Sequence, residues 1–139
     1  MVNAMSNSVV PKITVVVGGS FGAGNYAMCG KAYDPRFILA WPNARYAVMG
    51  AAQASDTVFS VLAKARERDG KATKEELGAL REKVKQNYTE QTDIRYGAAR
   101  GWVDAIIQPH ETRDVLAQLL RYVSRPMPKA RFHTGVIQV

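Results

Sequence analysis

The sequence has little sulfur chemistry and few metal-binding side chains. It holds one cysteine, Cys29, which excludes an internal disulfide and points weakly to a reducing compartment. Its two histidines, His110 and His133, stand without metal-ligand company, so a histidine-based metal centre is not expected. No apolar run reaches the roughly 18 residues that a membrane span requires. Residues 1–17 lack the basic n-region and continuous apolar core of a signal peptide. Repeats and low-complexity stretches are absent as well.

What is present fits a single globular unit. The length of 139 residues matches one domain, and 47% hydrophobic residues are enough to build a core. The net charge is +7. Its most lopsided stretch starts at Arg121, where Arg121, Arg125, Lys129 and Arg131 meet no acid. Such a patch suits a polyanion, but a solvated surface with a basic tail over about 124–139 explains it better, because basic residues elsewhere alternate with acids. Neither nucleic acid nor a membrane is expected as a partner. The opening "MVNAMSNSVV" has helical spacing without a start signal, and it reads as the end of a helix from a longer chain.

Patterning predicts an α/β arrangement. Residues 13–17 (ITVVV) read as a strand buried on both faces. A helix is expected from Gly24 to about Ala32. "RFILAW" (36–41) and "RYAVMG" (45–50) read as two strands around a turn at "PNA". A helix over 51–66 carries Ala54, Val58, Val61, Leu62 and Ala65 on one face and stops at Asp69-Gly70. "TKEE" (73–76) is a capping box opening a helix striped by Leu77, Leu80, Val84 and Tyr88. "WVDAII" (102–107) reads as a further strand. Pro109 opens a last helix, lined by Val115, Leu116, Leu119, Leu120 and Val123, and Pro126 and Pro128 end regular structure.

The chemistry concentrates at "VVVGGSFGAGNYAM" (15–28), where Gly18, Gly19, Gly22 and Gly24 lie between a strand and a helix. The first N–H groups of a helix lack internal partners, and glycine lets a ligand approach them. A dinucleotide site matches Gly22, Gly24 and Ala27, but the acid such a site needs about 20 residues later is missing from "AWPNARYA". A phosphate loop fails at Ala32, where Ser or Thr is needed after Gly30-Lys31, and at Asn25, where the leading Gly belongs. An oxyanion hole needs only backbone N–H groups. The residues alone leave that reading and a plain packing turn both open.

The stretch from Val10 to Gly50, with "GGSFGAGNYAMCG" followed by "WPNAR" and "VMG", resembles the β (carboxyltransferase) subunit of biotin-dependent acyl-CoA carboxylases. "RYGAARGWVDAIIQPHETRDVL" resembles a later segment of the same subunit, and the likeness runs from about Met1 to Arg131. It is greatest to the methylcrotonyl-CoA branch, with the propionyl- and geranyl-CoA carboxylases as relatives. The resemblance implies a crotonase-like spiral of ββα units, of which residues 1–139 form a single partial domain at the C-terminal end of the second carboxyltransferase half. It implies transfer of CO2 from carboxybiotin to an acyl-CoA, methylcrotonyl- or propionyl-CoA, with the isolated piece inactive. Backbone N–H groups of Ala23 and Gly24 are implied as the oxyanion hole for the biotin ureido oxygen, with Gly22 shaping the turn and Asn25 and Tyr26 walling the cofactor pocket.

Implied partners are a biotin carboxyl carrier or biotin carboxylase α subunit, the acyl-CoA, and further copies of the chain. The implied compartment is the cytoplasm, or the mitochondrial matrix in a eukaryote. Cys29 reads as a small buried residue and Trp41 and Trp102 as core or interface, while Lys31, Arg36 and Arg45 are candidates for touching a phosphate. The ending "HTGVIQV" departs from the family pattern. A CoA- or nucleotide-binding module and an inactive assembly piece are the competing functions.

Overall fold

The computed structural model describes residues 1–68 and 74–125. After a short helix α1 (Val2–Asn7), the chain makes two successive strand–strand–helix turns. The first is β1 (Ile13–Val16), β2 (Gly19–Phe21) and α2 (Gly22–Ala27). The second is β3 (Phe37–Ala40), β4 (Arg45–Ala47) and α3 (Ala51–Arg68). There follow α4 (Lys74–Thr92), α5 (Ile94–Ala98), β5 (Ala105–Ile106) and α6 (Thr112–Val123).

The second turn lies parallel on the first. Ile13 to Val16 pair in register with Phe37 to Ala40, and Gly19 to Phe21 with Arg45 to Ala47. β5 adds to β3 through Leu39–Ala105 and Ala40–Ile106, giving one sheet ordered β1-β3-β5 and a second, β2-β4. A spiral results, because each turn bends between the two sheets at the same corner. There the Trp41 N–H donates to Val16 O (2.9 Å) and the Arg45 N–H to Gly18 O (3.1 Å).

β3 is the central strand, and the two-sided burial expected of residues 13–17 belongs to it. Ile38, Leu39 and Ala40 are buried, whereas β1 buries only Val16 and leaves Val17 exposed. The reason is position: β1 is an edge of its sheet among the described residues. Val16, Ile38, Ala40, Ala44, Ile94 and Val103 form the core, flanked by Tyr46 and Ala98. Fully burying a side chain such as Ile38 stabilises by about 2–3 kcal/mol.

Several sequence expectations change. The runs at 36–41 and 45–50 are not a hairpin, since β3 and β4 belong to different sheets and "PNA" is the corner between them. β4 ends at Ala47. The strand over 102–107 shrinks to Ala105–Ile106. β2 and α5 are additional. α5 starts at Asp93, whose carboxylate accepts the Arg95 N–H at 2.9 Å.

The expected helices α3 and α4 form and pack on each other, with Leu77, Leu80, Val84 and Tyr88 half-buried. On α3, Ala54 is buried but Val61 is 63% exposed, so the predicted apolar face is only partly covered. α6 begins at Thr112, after a tight turn over Pro109–Glu111, and Leu120 on its predicted face is exposed. The expectations at Asp69-Gly70, Thr73, Pro126, Pro128, Lys129, Arg131 and His133 lie outside the described residues.

Candidate functional site

The glycine segment forms β2 and the start of α2. Of the glycine, serine and phenylalanine of β2, only the last favours a strand. Pairing with β4 makes them a strand, and so fixes where α2 begins. Gly22 is the hinge, with φ +50, and a Cβ placed there would lie 3.1 Å from Val48 O. An L side chain is disfavoured on both counts. No side chain caps α2, and its first turn carries no acid.

The Ala23 and Gly24 N–H groups belong to the first turn, where no carbonyl lies one turn back inside the helix. Among the described residues, neither donates a backbone hydrogen bond outside the regular elements, and both residues are exposed. They are candidate donors on an exposed turn.

α2 ends earlier than Ala32. The Gly30 N–H donates to Asn25 O (2.8 Å) and the Cys29 N–H to Tyr26 O (3.1 Å), while Cys29 takes φ +63. These two bonds around a left-handed residue form a Schellman turn, here with cysteine where glycine is usual. Cys29 is 2% exposed, its Sγ contacting Tyr33 O at 3.8 Å, in keeping with the small buried residue expected. His110 is exposed, and the described residues contain no cluster able to hold a metal ion.

Beside α2 lies an open cavity of about 540 Å³. Gly22, Asn25 and Tyr26 line it from α2, Tyr46 to Met49 from β4 and the loop after it, Tyr88, Gln91 and Thr92 from α4, and Trp102 from the loop before β5. Thus three of the five predicted site residues share one wall, while Ala23 and Gly24 do not line the cavity and stand on the exposed turn next to it. Sequence reasoning missed the opposite wall. Trp102 lies between Tyr46 and Tyr96, with ring centroids 6.2 and 5.9 Å away, and Gly97 leaves room for its ring.

Among the described residues, the cavity lining has no carboxylate and Lys31 is its one charged residue. Of the other two cations considered for a phosphate, Arg45 is engaged with Asp93 (2.8 Å), whereas the Arg36 side chain is exposed and does not line the cavity. Hydrogen bonds from the Arg95 side chain and backbone, then from Arg45, hold the Asp93 carboxyl well below the usual carboxylate range, against the opposing effect of partial burial.

Parallel ββα turns with a glycine-rich helix start define a crotonase-like fold, and comparison with solved structures agrees. The β subunit of P. aeruginosa geranyl-CoA carboxylase superposes with a TM-score of 0.75 at 41% identity, over 96% of this chain and 26% of its own. Transcarboxylase 12S with methylmalonyl-coenzyme A and methylmalonic acid bound gives 0.77 at 32% identity, over 96% and 25%. In sequence, the mitochondrial methylcrotonoyl-CoA carboxylase β chain of Arabidopsis thaliana is 45% identical over 134 residues, 95% of this chain and 23% of that one. The biotin-dependent 3-methylcrotonyl-coenzyme A carboxylase β1 subunit of Mycobacterium tuberculosis is 44% identical over 121 residues, 86% and 23%. Residues 1–133 match the carboxyl transferase domain, and the chain belongs to that family. It spans about a quarter of the length of these relatives.

Proposed function

We propose that this chain is the biotin-side part of an acyl-CoA carboxyltransferase, with Ala23 and Gly24 supplying the backbone donors for the ureido oxygen. Family membership sets the reaction class. The observation that carries the site is the start of α2: an uncapped, exposed first turn whose amides find no acceptor outside the regular elements among the described residues, held in place by the positive φ of Gly22.

The residues present fit a neutral ring system with a carbonyl-like oxygen. An anion-seeking pair of N–H groups stands next to a cavity whose walls are mainly apolar and lack carboxylates. Biotin, when bound, carries the carboxyl group to be transferred to the acyl-CoA. The task of Ala23 and Gly24 is to hold two N–H dipoles aimed in advance at an oxygen that gains negative charge, so that no reorganisation is needed during the reaction. Gly22 keeps the backbone turn open for close approach, and Tyr26, 42% exposed, borders the entry to the cavity.

Residues 1–139 then act as a single partial domain with a basic tail from about 124. The acyl-CoA, of the methylcrotonyl or propionyl type, is held by a part of the assembly outside this chain. Biotin arrives on a carrier or biotin carboxylase subunit, and further copies of the chain complete the oligomer. Such an assembly works in the cytoplasm, or in the mitochondrial matrix of a eukaryote. No helix among the described residues is long and apolar enough to cross a membrane.

The test is amide-resolved NMR with separate titrations of biotin, CoA and NAD. Biotin should shift the Ala23 and Gly24 amides selectively. Saturable NAD or CoA binding at these amides without a biotin response would replace this reading with a nucleotide- or CoA-binding module. A stable oligomer that answers no ligand would leave an assembly piece.

A further inference from the structure

α2 has only six residues, too few to hold its own shape in water. If its first-turn amides are to be aimed in advance, something outside the helix must aim them. Asn25 is the residue that reaches outward in three directions. Its Nδ2 donates to Ser20 Oγ on β2 at 2.9 Å. Its main-chain oxygen accepts the Gly30 N–H at 2.8 Å, closing the Schellman turn. Its Oδ1 occupies the place where a Cβ on residue 30 would stand, so that the turn closes over it only with glycine there.

Asn25 therefore ties the helix to the strand before it through its half-buried side chain, and to the turn after it through its main-chain oxygen and the packing of Oδ1 on Gly30. Ala23 and Gly24 lie between the Ser20 and Gly30 anchor points. A wall residue of the cavity needs none of these bonds, and one of the two amide N–H groups of Asn25 is already engaged by Ser20.

We infer that Asn25 is a positioning residue, not a ligand contact: through Ser20 and Gly30 it fixes the direction of the Ala23 and Gly24 N–H groups. The inference rests on the biotin-side reading only for what those amides bind; the bracing is a separate claim.

Ser20→Ala tests it, because it removes one end of the brace without touching Asn25. Ser20→Ala, Asn25→Ala and the double variant are made in the full 139-residue chain, with circular dichroism confirming the fold. In each single variant the Ala23 and Gly24 amides should change chemical shift and exchange faster, while core amides such as Ile38 stay unchanged. The two substitutions should be strongly non-additive, since each breaks the same bond. With biotin as the probe, each single variant should bind about five- to tenfold more weakly, the loss expected for one hydrogen bond.

If Ser20→Ala leaves both the amides and biotin affinity as in the wild type while Asn25→Ala abolishes binding, Asn25 is a contact residue and the inference is overturned. If the wild type binds no biotin, the biotin-side reading fails, but the amide shifts still decide the brace. Should Asn25→Ala not fold, the Ser20→Ala amide spectrum alone decides it: unchanged Ala23 and Gly24 signals refute the bracing.

Discussion

Two glycines, two positions apart, should respond to alanine in opposite directions. Gly22 has φ +50, and an alanine there pays about 1–2 kcal/mol for the left-handed conformation. Its Cβ would also press on Val48 O at 3.1 Å, so β4 or α2 must move by a few tenths of an ångström. At Gly24 a Cβ meets nothing within 4 Å, and the residue lies inside a helix. Alanine there gains up to about 1 kcal/mol of helix propensity and keeps the N–H. The two variants should thus differ by about 2–3 kcal/mol. Urea denaturation followed by circular dichroism measures this as a shift of the midpoint at constant slope, and thermal melting should separate the two by several degrees. Biotin-induced shifts at the Ala23 and Gly24 amides should survive Gly24→Ala and fade in Gly22→Ala. Equal stability of the two variants, or greater damage from Gly24→Ala, would refute the assigned start of α2 and with it the aiming of the amides.

In the assembled carboxyltransferase, Ala23→Pro removes one donor and should cut the transfer rate by about 10²–10³-fold, whereas Cys29→Ser should do far less; steady-state rates of both variants decide. Cys29, 2% exposed, should react with a thiol reagent in the native chain far more slowly than after urea unfolding, so fast native labelling would contradict its burial. Asp93→Asn keeps the cap, since asparagine caps as well as aspartate, but loses the charge facing Arg45 and Arg95, and should destabilise by up to about 1 kcal/mol. The folded-state pKa of Asp93 is depressed, so the stabilisation from its ionised form is fully present above the ordinary value of 3.8 and is lost as pH falls below it. Wild type and Asp93→Asn should therefore converge in stability at the acid end of a melting series; a constant gap down to pH 2 would contradict the linkage.

Element types were legible wherever a local pattern decided them. The β-branched run at 13–16, the striped helix of Leu77 to Tyr88 and the Pro109 start all form. Topology was not legible, because its determinants are distant in sequence. A hairpin and a corner look alike in "AWPNARY", and only the bonds from Trp41 to Val16 and from Arg45 to Gly18 separate them. β2 has only the weak propensity signal of Phe21 and exists through its pairing with β4. α5 did carry a signal, since Asp93 before an apolar residue is a capping pattern, but Gly97 inside the helix obscured it. Gly97 suits the Trp102 ring there, because a Cβ would lie 3.3 Å from Cε3 and the ring would have to yield by a few tenths of an ångström.

The site divides in the same way. Its main-chain half is written in consecutive residues, because a glycine with positive φ, a first helical turn and a Schellman closure are local devices with local codes. Gly22 could be picked out from the sequence for that reason, whereas the closure at Cys29-Gly30 could not, since the pattern predicts a helix running on to about Ala32. Its side-chain half comes from Tyr46, Tyr88 and Trp102, which are tens of residues apart and meet only because the second ββα turn lies in register on the first. This asymmetry bears on function. A site that relies on backbone donors depends on the fold for its geometry and on glycine for access, so its specificity must come from the walls. Changes at Tyr46 or Trp102 should therefore alter which ring system is accepted, and changes at Gly22 or Asn25 should alter whether the donors are aimed at all.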